Sequence, residues 1–425
     1  METIELGLGE TLYRTRTPGG LNVVVLPRRG YLKKYVAVTV EYGSIHLDFY
    51  VGDQQIRTPP GIAHFLEHKM FEKARYNISD RFSGVGASSN AFTSHTNTTY
   101  LFSTIDNLDE CIDLLAELVL TLYLTEDSVE KEKSIIEQEI HMYEDNPSWK
   151  CLENLLFSMY TSHPVRFNIA GTVESIRSIT KETLTRCYER FYRPNNMVVF
   201  ASGDLDPQRV TERITCAFEG YARTNGTTVE TSFEGEPEGV RQALTVFQME
   251  TPISLCALGF KDTDLGLSGR QYVMRELCSD LLLESCFGKS SDRYNEWYEK
   301  GLINNRFAAF FLGHSSFGTA VLRAESMYPR DLYSAILEAV DVYLKHGVPR
   351  DSFDRLKKKY TGSFINLFNS LEALAQAHNE YFLYDATLAD YLKVLDSITV
   401  YHVNERLARL FRQDNHVYSI VEKGE

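Results

Sequence analysis

Apolar and polar positions alternate at Val36, Val38 and Val40, and a β-branched run fills residues 21–27; residues 21–27 and 35–42 therefore predict two adjacent strands. A helical period takes over after Pro59-Pro60-Gly61, whose prolines fix the start of a helix over residues 61–71. A short helix over 79–82 and a glycine-broken segment at 84–87 lead to two Thr- and aromatic-rich runs, 90–94 and 99–104. These predict strands joined by the polar turn His95-Thr96-Asn97. Helical spacing then covers 109–122 and, after the capping hydroxyl of Thr125, runs on to about Tyr143.

Periodicity lapses over 224–239, where Gly, Pro, Thr and Glu predominate, and this stretch reads as an interdomain linker. Beyond it the pattern restarts, with strands over 243–249, 255–260, 307–311 and 318–324 and helices over 271–283, 329–346 and 350–383. Strands followed by helices in each half predict a duplicated chain with domains at 1–223 and 240–425.

Composition narrows the class. The 425 residues are 43% hydrophobic and 12% aromatic, enough for two ordinary cores. A net charge of -14, with no basic run longer than Lys357-Lys358-Lys359, argues against nucleic acid as a partner. Seven cysteines without C-x-x-C spacing fit reduced core residues better than a disulfide framework or a thiolate zinc site. The acidic Met1-Glu2-Thr3-Ile4-Glu5 and the lack of a long apolar run lead us to expect a cytoplasmic protein away from membranes.

Chemistry concentrates in His64-Phe65-Leu66-Glu67-His68. Four-residue spacing puts His64 and His68 on one helix face, with the Glu67 carboxylate within a turn of both. That order, H-x-x-E-H, supplies two nitrogen donors for zinc and a base beside them. A second signal lies in the helix over 125–143, where Glu132, Ile136, Glu139, Ile140 and Tyr143 share about 100° of the helix circumference. Carboxylates within an apolar stripe are costly unless paired with arginine or bound to metal, and the stripe alone leaves both open. Glu137 and Glu130 fall outside it, as surface charges do. Gly288-Lys289-Ser290 has the tail of a phosphate-binding loop, but Leu283 replaces its leading glycine.

His64 to His68, followed by Glu139 71 residues after His68, resembles the zinc site of the pitrilysin/insulinase family of inverted-motif metallopeptidases, in its short, processing-peptidase-like branch. The run from Gly86 to Thr93 resembles that family's substrate-binding edge strand, and Tyr192-Arg193-Pro194-Asn195-Asn196-Met197 its first-domain ending. The resemblance implies an α+β chain of two homologous α/β-roll domains, each a mainly antiparallel sheet packed against helices, of which the second lacks a metal site. It implies one zinc ion per chain held by His64, His68 and Glu139. Glu67 would be the general base and Glu132 a supporting acid, with the peptide running along Asn90, Ala91, Phe92 and Thr93. The implied reaction is hydrolysis of peptides or unfolded segments held as an added strand in a closed chamber. A non-catalytic scaffold or peptide-binding subunit of the same fold is the alternative.

One departure bears on partners. Self-sufficient family members resemble one another in an Arg-Glu-x-x-Gly-Leu-x-Tyr stretch of the second half, whose Arg and Tyr bind substrate. Here Trp297 stands at the Arg position and Asn304 at the Tyr position, with Tyr298 and Arg306 displaced by one or two residues. The expectation is a heterodimer in which a homologous, metal-free subunit supplies the Arg/Tyr pair, with a homodimer or monomer less favoured.

Overall fold

The computed structural model describes residues 1–51, 53–221, 231, 233 and 235–424; of the expected linker, residues 224–230, 232 and 234 lie outside the described residues. In chain order the first half comprises β1 (Glu2–Gly7), β2 (Glu10–Arg16), β3 (Asn22–Pro27), β4 (Lys34–Val40), β5 (Asp48–Val51), β6 (Gln54–Arg57), α1 (Ile62–Phe71), α2 (Ile78–Gly84), β7 (Ser88–Thr93) and β8 (Thr98–Thr104). It continues with α3 (Leu108–Leu120), α4 (Glu126–Glu144), α5 (Pro147–Met159), α6 (Val173–Arg177), α7 (Lys181–Phe191), β9 (Met197–Gly203) and α8 (Pro207–Glu219). The second half comprises β10 (Leu244–Met249), β11 (Ser254–Lys261), α9 (Gly269–Phe287), α10 (Asp292–Glu299), β12 (Ala308–Gly313), β13 (Gly318–Ser326), α11 (Pro329–His346), α12 (Arg350–Leu367), α13 (Leu371–Phe382), α14 (Leu388–Ser397), α15 (Val400–Leu410) and β14 (His416–Lys423).

The large sheets are ordered β1-β2-β3-β9-β4-β8-β7 and β10-β14-β11-β13-β12. Leaving aside the hairpin of β1 and β2, the two orders are the same path traced twice: the first strand lies beside the last, then come the second, fourth and third. The pairing sense repeats as well. β3 with β9 and β10 with β14 are parallel, and the remaining neighbours in both paths are antiparallel. The chain is therefore an α+β protein of two similar sheet-and-helix halves. β9, central in its sheet, is buried along its whole length, which explains its nearly unbroken apolar sequence.

Packing divides the chain into two units, one of Met1–Ile140, Asn168–Ser232 and Leu367–Leu383, the other of His141–Phe167, Phe233–Asn366 and Tyr384–Glu425. The sequence division at 224–239 follows the lapse in periodicity; the packing units interleave along the chain. Helix α5, from the first half, packs on β14 and β11, and α13, from the second, packs on β9 and β4. Asn379 ties α13 down by donating to the Thr39 hydroxyl at 2.7 Å, which itself meets the Thr99 hydroxyl at 2.7 Å. Buried polar groups that satisfy one another in this way fix one placement of a helix on a sheet.

The single helix expected over 350–383 is two helices. α12 ends at Leu367 and Ser370 caps α13 by accepting the Ala373 N–H. The Phe368 carbonyl, turned out of the helical ladder, accepts from Arg28 at 2.9 Å and from the Tyr31 hydroxyl at 3.2 Å. All seven cysteines are free, and Cys216 is exposed where a core position was expected. No helix among the described residues is long and apolar enough to cross a membrane.

Candidate active site

Helix α1 opens on Gly61 at φ 90°, in the left-handed region. A Cβ there would lie 2.4 Å from the Ala170 carbonyl oxygen, so the close approach of the two backbones requires glycine. The Ser175 hydroxyl donates to the Pro60 carbonyl at 2.8 Å and clamps the same corner. Ile62, Ala63, Phe65, Leu66 and Met70 are buried on one side of α1, and His64 and Glu67, on the other, remain only 9% and 8% exposed. The helix is thus fixed from all sides, and its polar groups emerge in a confined place.

Helix α4 brings the second set of donors. Val129, Ile136 and Ile140 bury its apolar stripe, and Glu132 and Glu139 project beside it with side chains 14% and 23% exposed. Glu137, expected as a surface charge, is partly buried and pairs with Arg177 at 2.7 Å.

The two helices converge. Glu139 Oε1 lies 3.6 Å from His64 Nε2, and Glu139 Oε2 lies 3.6 Å from His68 Nε2. One donor atom from each of His64, His68 and Glu139 falls within 4.8 Å of the others. A gap of 3.6 Å is longer than a hydrogen bond. It is close to the spacing of about 3.4 Å that two donors keep around a tetrahedral zinc ion with bonds near 2.0–2.1 Å. Donor chemistry agrees, being two imidazole nitrogens and a carboxylate oxygen.

Protonation favours the same use. Burial, helped by His68 alongside, lowers the His64 pKa to about 4, so its imidazole is neutral near pH 7. Burial also works against protonated His68, but its hydrogen bond to Glu132 outweighs this and raises its pKa. That bond, His68 Nδ1 to Glu132 Oε1 at 3.0 Å, leaves Nε2 as the atom facing Glu139. For Glu132, burial acts to raise the pKa, and the bond to His68 with the nearby Lys69 prevails to lower it.

Glu67 stands next to the cluster without belonging to its closest donor set. Burial raises its pKa, only partly offset by a hydrogen bond from the Thr93 hydroxyl. That bond is 2.7 Å long and joins α1 to the end of β7, the outermost strand of its sheet. Exposure alternates along β7, and Asn90, Ala91 and Phe92 continue the strand away from the cluster. Thr93, expected only as part of a peptide-binding edge, thus also holds the carboxylate. Thr93→Val, which keeps shape and removes the donor, is expected to lower kcat by about 10–100-fold, the worth of a hydrogen bond to a charged group. Zinc content should stay unchanged, Thr93→Ser should restore the rate, and steady-state kinetics with metal analysis of the three proteins checks this.

In the second unit, Trp297 is buried, with its ring 5.8 Å from Phe287 and 5.9 Å from Phe307. It is a core residue. Asn304 donates to Glu325 at 2.8 Å, and Arg306 pairs with the same carboxylate at 2.6 Å. Tyr298 is exposed against Tyr294.

Residues 33–173 match the Insulinase (Peptidase family M16) domain and residues 178–360 the Peptidase M16 inactive domain. A Bacillus subtilis protein described as an uncharacterized zinc protease, YmfH, is 39% identical over 405 residues, 92% of each chain. The chain belongs to peptidase family M16. Among solved structures, an M16-like peptidase from Alicyclobacillus acidocaldarius is 32% identical with a TM-score of 0.95, over 99% of this chain and 100% of that one. Pitrilysin, at 15% identity and a TM-score of 0.75, shares the fold, and this M16 chain covers 46% of it. The relatives' zinc protease names accord with the donor set of His64, His68 and Glu139.

Proposed function

We propose that this M16 chain is a zinc-dependent endopeptidase in which His64, His68 and Glu139 hold the metal. The observation that carries the reading is the convergence of those three donors, with Glu67 beside them and tied by Thr93 to the end of an edge strand. Zinc, when bound, supplies Lewis-acid polarisation of a carbonyl and acidifies a water. Glu67 takes the water's proton and passes it to the leaving amine, and burial suits it by making its carboxylate more basic. Glu132 orients His68. The peptide lies extended along the outer edge of β7 at Asn90, Ala91, Phe92 and Thr93, with main-chain hydrogen bonds giving affinity and little demand on sequence. Because Glu67 and the strand edge meet at Thr93, a bound peptide and the base share one reference point.

The substrates in this reading are peptides or unfolded segments, and the working form is a heterodimer with a homologous subunit that supplies an Arg and a Tyr. The engaged states of Trp297 and Asn304 support it, since neither is disposed to act as the missing pair.

Quenched fluorescent peptides, offered to the protein with its partner, test the activity. Turnover should vanish on treatment with a zinc chelator and return on zinc addition. Turnover indifferent to chelation would contradict the proposal.

A further inference from the structure

Lys69 follows His68 directly, and its side chain is 1% exposed. A lysine so deeply buried is rare and costly unless its charge is matched. Its Nζ lies 3.7 Å from Glu132 Oε2, donates to the Ser128 carbonyl at 3.3 Å, and pairs with Glu72. The other oxygen of Glu132 is the one that meets His68 Nδ1. Glu132 is therefore held at both oxygens from a single helix, by His68 on one side and Lys69 on the other. Ser128 and Glu132 are one turn apart on α4, so Lys69 reaches that helix at two successive levels.

An apolar residue at 69 would fill the space and leave Glu132 held from one side, by His68 alone.

We propose that Lys69 is a positioning residue for the metal centre: it fixes Glu132, and through Glu132 the His68 imidazole and the spacing of α1 from α4. The inference rests on the zinc reading above.

The test is zinc affinity of the full chain, measured by competition with a chromophoric chelator. Lys69→Met should weaken zinc binding about 10-fold, at the lower end of what losing a partner of a ligand costs, and Glu132→Gln by a similar factor. The double variant should bind zinc no more weakly than Glu132→Gln alone, because Lys69 acts through that carboxylate. Unchanged affinity in Lys69→Met, or losses that multiply in the double variant, would overturn the proposal. Should removal of the lysine unfold the chain, the unsubstituted protein labelled with ¹⁵N-lysine answers the question. The Lys69 ammonium signal should be slow to exchange and should move on zinc addition, and in Glu132→Gln it should stay put. A wild-type signal indifferent to zinc defeats the Lys69 role, whereas wild-type protein that binds no zinc defeats the reading beneath it.

Discussion

Glu67→Gln is expected to retain its zinc and to lose peptide hydrolysis by about 10²–10⁴-fold, the contribution of a well-placed general base. The amide has the shape of the carboxylate and keeps an oxygen for the Thr93 hydroxyl, so the contact between α1 and β7 survives. What it lacks is the capacity to accept a proton. The three metal donors are untouched, which separates this variant from one that merely empties the site. Turnover and metal content measured on one preparation decide the matter, and a variant with both at wild-type levels would remove Glu67 from the mechanism.

The chain alone is expected to hydrolyse peptides slowly, and mixing it with a homologous metal-free chain that carries the Arg and Tyr should raise the rate by about 100-fold or more. That factor is what one well-placed donor to a developing oxyanion is worth. The argument is local to residues 297–306. Trp297 cannot take the part of an arginine, since its ring lies in the core against Phe287 and Phe307. Asn304 and Arg306 share Glu325, so using either on substrate would first break that link. Titrating the partner into a fixed amount of this chain, with peptide turnover as the readout, gives the answer. Equal turnover with and without partner would show that the chain is self-sufficient.

The two helices of the proposed site were the most legible part of the sequence because both carry a contradiction visible without coordinates. α1 has two histidines and a glutamate at helical spacing, and α4 has two carboxylates inside an apolar stripe. Edge strand β7 was legible from its Thr and aromatic content and its turn. What sequence order could not convey was which sheet a helix joins. α5 and α13 have ordinary apolar faces, and each fits a sheet built mainly from the other half of the chain. The break at 368–370 was hidden because helical spacing resumes after it, and only the Ser370 cap marks it. The hairpin of β1 and β2 was missed because β1 is largely exposed, β2 is mostly half-buried and both are rich in charge, so period-two burial is faint. Lys69 was overlooked as one polar residue at the end of an apolar helix, where a lysine usually reaches water. The signal that could have found it is its place immediately after a histidine of the proposed metal centre, within one turn of Glu72 and on a helix otherwise buried.

The most direct test of the account is the metal content of the purified wild-type chain beside that of Glu139→Ala. Glu139 is the donor contributed by α4, so the site as described exists only if both helices contribute. The account predicts one zinc ion per wild-type chain and none in the variant, with both proteins folded. A wild-type chain that takes up no zinc from a zinc-replete buffer, or a variant that retains it, would contradict the claim that His64, His68 and Glu139 form the centre.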